Sequence, residues 1–94
     1  MKIEWSAAAL ADLDRFAEFL QDRHPALSAI VAREIIAKTQ ILVDHPQLGR
    51  PIVGRREYRQ AVLRVLNAAY VFQYRLLDDR IMMLRVFHGR ERRE

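Results

Sequence analysis

Three β-rich runs, residues 58–66, 70–77 and 81–88, are crowded into the second half of this sequence. Only Asn67-Ala68-Ala69 and Asp78-Asp79-Arg80 separate them, and connections that short allow only antiparallel hairpins. The runs therefore form a meander. One face of that meander must be covered, and the first half of the chain has to do it.

Residues 2–5 alternate polar and apolar like a short strand. Ser6 is a good N-cap, because its hydroxyl can accept from a free amide of the first helical turn. Behind it Leu10, Leu13, Phe16, Ala17 and Leu20 recur at the spacing of an amphipathic helix over residues 7–23, with Asp12, Asp14, Glu18 and Asp22 mainly on the other side. His24-Pro25 breaks this helix, and Pro25 suits the first turn of another. The second stripe runs through Leu27, Ile30, Val31, Ile35, Ile41 and Leu42 to about Asp44-His45-Pro46. Two helices joined so closely form an antiparallel hairpin. Residues 47–54, rich in Gly and Pro, read as a loop. With the first strand added to the sheet, the order is β-α-α-β-β-β. The expected fold is α+β, one domain over residues 1–94, with the helical hairpin packed on a small antiparallel sheet.

A chain of 94 residues has one core of modest stability, to which a partner that binds the folded state would add. There is no cysteine and there are three scattered histidines, so neither a disulfide scaffold nor a zinc site is expected, and no cofactor is. Met1-Lys2-Ile3-Glu4-Trp5 has no apolar core of a signal peptide. No apolar run approaches the ~20 residues of a membrane span. The expected location is the cytoplasm. Charge is divided unevenly: residues 1–49 hold five Lys/Arg against seven Asp/Glu, whereas residues 50–94 hold eleven arginines, no lysine and five acids. Such asymmetry points to a polyanionic or acidic partner.

Four segments carry a family likeness. Trp5-Ser6 is followed by Ala9, Asp12 and Leu13; residues 45–50 read His-Pro-Gln-Leu-Gly-Arg; residues 70–75 read Tyr-Val-Phe-Gln-Tyr-Arg; and residues 86–90 read Val-Phe-His-Gly-Arg. In this order and spacing the chain resembles the RelE/ParE toxin superfamily over its whole length, closest to the ParE branch. The resemblance implies the toxin of a type II toxin–antitoxin system, neutralised by a cognate antitoxin with an acidic amphipathic C-terminal segment. It also implies one of two targets. RelE-like members cut messenger RNA on the ribosome; ParE-like members inhibit DNA gyrase without known nuclease activity.

Chemistry helps to choose. Cleavage by a 2′-hydroxyl needs one group to take a proton, another to give one, and cations for the developing charge. Arginine holds phosphate well but cannot shuttle protons. RelE-type nucleases use lysines near the loop and second strand, arginines on the sheet, and a tyrosine after the last strand. Here residues 50–60 carry Arg50, Arg55, Arg56 and Arg59 but no lysine, and no tyrosine follows His88. The nuclease alternative would rest on Arg64, His88 and Arg90. His88 has the right intrinsic pKa of ~6.5, but counting by twos puts it with Met82, Leu84 and Val86, at the edge of a core face. Arg50, Arg55, Arg56, Arg59, Arg90, Arg92 and Arg93 are the candidates for binding a target or antitoxin. Arg75 and Arg80 read as an ordinary solvated strand face, and Tyr70, Phe72 and Tyr74 as core. The leading expectation is a gyrase inhibitor, ahead of a ribosome-dependent endoribonuclease and of a non-toxic nucleic-acid-binding module.

Overall fold

The opening strand β1, Lys2–Trp5, feeds directly into a helix because Ser6 caps it, accepting from the Ala9 N–H at 3.0 Å. The computed structural model describes residues 1–91, with Arg56 described by its backbone alone. Helix α1 covers Ala7–Leu20 and α2 covers Pro25–Lys38, with Pro25 in the first turn as its missing N–H favours. The Ser28 hydroxyl ties the hairpin by donating to the Ala17 carbonyl at 2.7 Å. The sequence suggested that the second helix runs unbroken to about residue 44. Instead it stops at Thr39, which is buried and turns its hydroxyl back onto the Ile36 carbonyl at 2.6 Å, and a short α3 follows over Gln40–Asp44. A threonine that bonds its own helix backbone tends to bend it.

The segment expected to be a loop contains a further strand, β2, Arg50–Ile52, which pairs with the start of β3, Arg55–Val65. Gly54 makes the turn between them at φ +81°, where a side chain would be strained. β4 spans Ala68–Leu76 and β5 spans Arg80–His88. The β3–β4 connection is tighter than the sequence suggested. Only Leu66 and Asn67 lie outside the ladder, at φ 52° and 66°, the two left-handed positions of a type I′ turn. Sheet order is β1-β5-β4-β3-β2. The meander is antiparallel as expected, but β1 pairs parallel with β5, from Lys2↔Arg80 to Trp5↔Met83.

The helical hairpin covers one face of this sheet. Phe72, Tyr74, Ile81, Met83 and Val86 come from the strands and Val31, Ile35 and Leu42 from the helices, all fully buried. Tyr70 joins them, and Trp5 packs against the cluster from the side. The β5 alternation is broken by a bulge: Arg85 lies opposite Gln73 and Met83 opposite Tyr74, leaving Leu84 as the extra residue. Counting by twos across it therefore fails. The helix-side residues of β5 are Ile81, Met83, Val86 and His88; Met82 and Leu84 are not among them.

Candidate functional site

The face of the sheet away from the helices is cationic. Register aligns Arg50, Gln60 and Gln73 across it, then Tyr58 with Arg75, Val62 with Val71, and Arg64 with Ala69. The guanidinium groups of Arg55 and Arg75 lie 5.6 and 5.7 Å from the Tyr58 ring centroid, a cation–π arrangement that orders both charges without neutralising either. Beside them the Gln73 amide donates to Gln60 at 3.0 Å. Among the described residues no carboxylate pairs with Arg50, Arg55, Arg64 or Arg75. Arg64, at the far end of β3, donates to the Asn67 carbonyl of its own turn at 3.1 Å. Arg80, in contrast, sits at the sheet edge between Glu4 and Asp79, 2.9 Å from each.

Arg59 serves the loop before β2. Its guanidinium donates to the carbonyls of Gly49 at 2.7 Å and Gln47 at 3.3 Å. Tyr74 holds the same loop from beneath: its hydroxyl donates to the Pro46 carbonyl and accepts from the Gly49 N–H, both at 2.9 Å. A Cβ at position 49 would lie 2.6 Å from that hydroxyl, so the Pro-x-x-Gly-Arg spacing has a steric reason. Burial raises the Tyr74 pKa, against the opposing effects of the Gly49 N–H and the Arg59 charge. Only the backbone of Arg56 is described, within β3, and Arg92 and Arg93 lie outside the described residues.

A groove of about 670 Å³ opens at the other end, between the two long helices, the β3–β4 turn and the end of β5. Its floor includes Phe16, Leu27, Leu66 and Tyr70, and its rim carries Arg15, Arg23 and Arg90. Phe19 stands at the rim, 66 % exposed, with Arg23 stacked on its ring. His88 lies here edge-on to Tyr70 at 5.2 Å, and its Nδ1 accepts from the Arg90 N–H at 3.2 Å. Tyr70 is a poor proton carrier, since burial and then the charge of Glu91 raise its pKa. His88 faces the helix side opposite Tyr70, while Arg64 faces the other side opposite Ala69. The three nuclease candidates are therefore not brought together: the sheet itself separates Arg64 from His88 and Arg90.

One cluster escaped the sequence reading. Asp12 is 1 % exposed, not solvated. Its carboxylate accepts from Arg85 through Nε and Nη2 at 2.9 and 3.0 Å, from the Val86 N–H at 2.8 Å, and from Arg15. Arg15 also donates to Glu91 at 2.9 Å, and Glu91 accepts from the His88 N–H at 2.8 Å. Burial pushes the Asp12 carboxyl up, but bonds from Arg85, Arg15 and Val86 together outweigh it and hold the pKa below the ordinary value. The signal was present in the spacing. Ala9, Asp12, Leu13 and Phe16 form the buried stripe of α1, whereas Leu10, expected in that stripe, is 48 % exposed.

The model of the ParE toxin family of type II toxin–antitoxin systems (parDE) matches residues 3–93. The chain belongs to this family. The toxin is 30 % identical over 93 residues to Toxin RelE3 of Caulobacter vibrioides, covering 97 % of each chain. It is 30 % identical over 88 residues to Toxin RelE1 of the same organism, covering 94 % of this chain and 92 % of that one. Among solved structures, a chromosomal ParDE TA system from P. aeruginosa matches with a TM-score of 0.74 and 22 % identity, over 94 % of this chain and 95 % of that one. A conserved hypothetical protein of Helicobacter pylori matches at 0.56 and 15 %, over 97 % of each. These two likenesses speak for the α+β fold. The protein is thus a type II toxin of the ParE/RelE superfamily, which implies a cognate antitoxin. Among the described residues no helix is long and apolar enough to cross a membrane.

Proposed function

We propose that the toxin acts as a ParE-like inhibitor of DNA gyrase, gripping its target through arginines and breaking no bond in a nucleic acid. The observation that carries this reading is the separation of Arg64 from His88 by the thickness of the sheet. General acid–base catalysis needs its proton carrier within hydrogen-bond reach of the reacting atoms, and the imidazole of His88 lies on the other side of the sheet from the cations of the open face. The buried tyrosines are no substitute, since Tyr70 and Tyr74 have raised pKa values. Arg50, Arg55 and Arg75 are the target contacts on the open face, with Arg56, Arg92 and Arg93 as further candidates. The antitoxin lays an acidic amphipathic segment into the groove whose rim carries Arg23 and Arg90.

The experiment is a pair of assays with purified toxin: DNA supercoiling by gyrase, and primer extension on messenger RNA in translating ribosomes. Supercoiling is expected to fall while the messenger stays intact. Cuts at codon spacing would overturn the reading. His88→Gln sharpens the test, since a nuclease that depends on this imidazole loses ~10²-fold or more, whereas inhibition by surface contact survives.

A further inference from the structure

The β2–β3 ribbon ends in a tip that no described residue covers. Val53 is 99 % exposed, and a Cβ at Gly54 would meet no atom within 4 Å. An apolar side chain left wholly in water adds nothing to the core, since only area removed from water stabilises. Behind the tip the charge is one-sided: residues 50–76 hold six arginines and a single acid, Glu57. Arg59 is held by the loop carbonyls. Arg50, Arg55 and Arg75 pair with no carboxylate among the described residues.

Spacing and surface chemistry favour a duplex of DNA as the ligand. β2 and β4 flank β3, with Arg50 opposite Gln60 and Arg75 opposite Tyr58. Two strand spacings across and two residue steps along put about 12 Å between Arg50 and Arg75. That is about the width of the major groove of B-form DNA, which also admits a two-stranded β-ribbon. The deep, narrow major groove of an RNA helix does not admit side chains. A single strand would need free aromatic rings on which to stack its bases. The rings of this face, Tyr58 and Phe87, already carry guanidinium groups, Arg55 and Arg75 on the first and Arg85 on the second. A protein partner would seek an apolar centre. The centre here is the bonded Gln60–Gln73 amide pair, beside Arg50 and Arg75.

We propose that the toxin itself binds double-stranded DNA, Val53 entering the major groove at the tip of the β2–β3 ribbon while Arg50, Arg55 and Arg75 hold phosphates of the flanking backbones. The inference rests on the open face being the target contact and extends it: the duplex that gyrase holds is part of that contact. A guanidinium fork engages two phosphate oxygens at once. Tyr58 orders two such forks before any ligand arrives, so less side-chain freedom is lost on binding. Phosphate contacts carry no sequence information, and the binding is accordingly to duplexes of any sequence.

The test is fluorescence anisotropy of a short labelled DNA duplex titrated with purified toxin at several salt concentrations, without gyrase. Three phosphate contacts predict a slope of log K against log salt of about −2.7, and Arg55→Gln with Arg75→Gln should reduce it to about −0.9. Arg33→Gln with Lys38→Gln removes the same charge from the exposed face of α2 and should leave the slope unchanged. Val53→Asp sets a carboxylate against the phosphates and should weaken binding about tenfold. If a variant fails to fold, the wild-type slope and competition by single-stranded RNA of equal length still decide. No binding at low salt overturns the proposal, as does an equal loss in both double variants, which would make net charge the cause. RNA that competes as well as unlabelled duplex also overturns it. Supercoiling measured on the same samples keeps the two readings apart. Gyrase inhibition without duplex binding overturns this inference alone, whereas duplex binding without inhibition supports it and overturns the gyrase reading.

Discussion

Replacing Asp12 by asparagine keeps the shape of a buried side chain and removes its charge. In the native toxin the carboxylate serves two kinds of partner. The Val86 N–H is buried on the strand edge that β1 leaves uncovered, and a hydrogen bond to a charged acceptor there contributes about 1.5–3 kcal/mol. The guanidinium groups of Arg85 and Arg15 have side chains 42 % and 41 % exposed, so water replaces much of what they lose, and each contributes within the range of exposed pairs, about 0.2–1 kcal/mol. Asparagine still accepts from Val86 through its carbonyl, more weakly, but its amide confronts guanidinium donors with another donor. The expected loss for Asp12→Asn is about 2 kcal/mol. For a domain of this size that lowers Tm by on the order of 10 °C. Asp12→Ala should cost more, since the Val86 N–H is then left with no acceptor.

Acid should erase the difference. The native pKa of Asp12 lies below its unfolded value, which is about 3.9. The stabilisation is therefore complete above the unfolded value and is lost as pH falls toward the native one, because the unfolded chain takes up the proton first. Thermal unfolding followed by circular dichroism at pH 7 and near pH 3 measures both effects. The gap between wild type and Asp12→Asn should be wide at pH 7 and narrow in acid. Equal Tm values at pH 7 refute the assigned role. A gap that persists unchanged into acid shows that the charge was not its source.

The loop before β2 gives a second, independent test. Gly49→Ala drives a methyl group against the Tyr74 hydroxyl and should cost about 1–3 kcal/mol, while Tyr74→Phe removes the two bonds to that loop and should cost about 1–2 kcal/mol; urea unfolding reads both, and wild-type midpoints would show that the loop is not held there. Ser6→Ala takes away the α1 cap and the bond to the Leu84 carbonyl and should lower stability by about 1–2 kcal/mol. Arg55→Gln combined with Arg75→Gln leaves the fold within about 1 kcal/mol of wild type but should weaken gyrase inhibition severalfold. Undiminished inhibition would remove the open face as the contact.

Much of this architecture was legible because it follows from local rules. Short connections dictated the meander, Ser6 and Pro25 marked two helix starts, and the period of Tyr70, Phe72 and Tyr74 placed them in the core. What was not legible depended on partners distant in sequence. β2 has three residues, one of them proline, and exists because β3 offers it an edge. Asp12 looked solvated because aspartate in a helix usually is, and only the uncovered strand edge 74 positions away makes its burial favourable. Arg59 looked like one of a run of equivalent cations until the loop carbonyls were seen to hold it.

The bulge at Leu84 links these omissions to function. A single extra residue in one strand moves every later side chain to the other face. With Met83 facing the helices, an unbroken ladder would send His88 to the open face, the side on which Arg64 lies. The bulge sends it to the helix side, against Tyr70. Its flanks are held by Ser6 at the Leu84 carbonyl and by Asp12 at the Val86 N–H. The buried carboxylate that stabilises the fold thus also keeps the imidazole away from the arginines of the open face. Asp12→Asn should accordingly speed amide exchange at Val86 and His88 before it unfolds the domain. If exchange there rises only with global unfolding, the bulge is held by packing of Met83 and Val86 and not by the polar cluster.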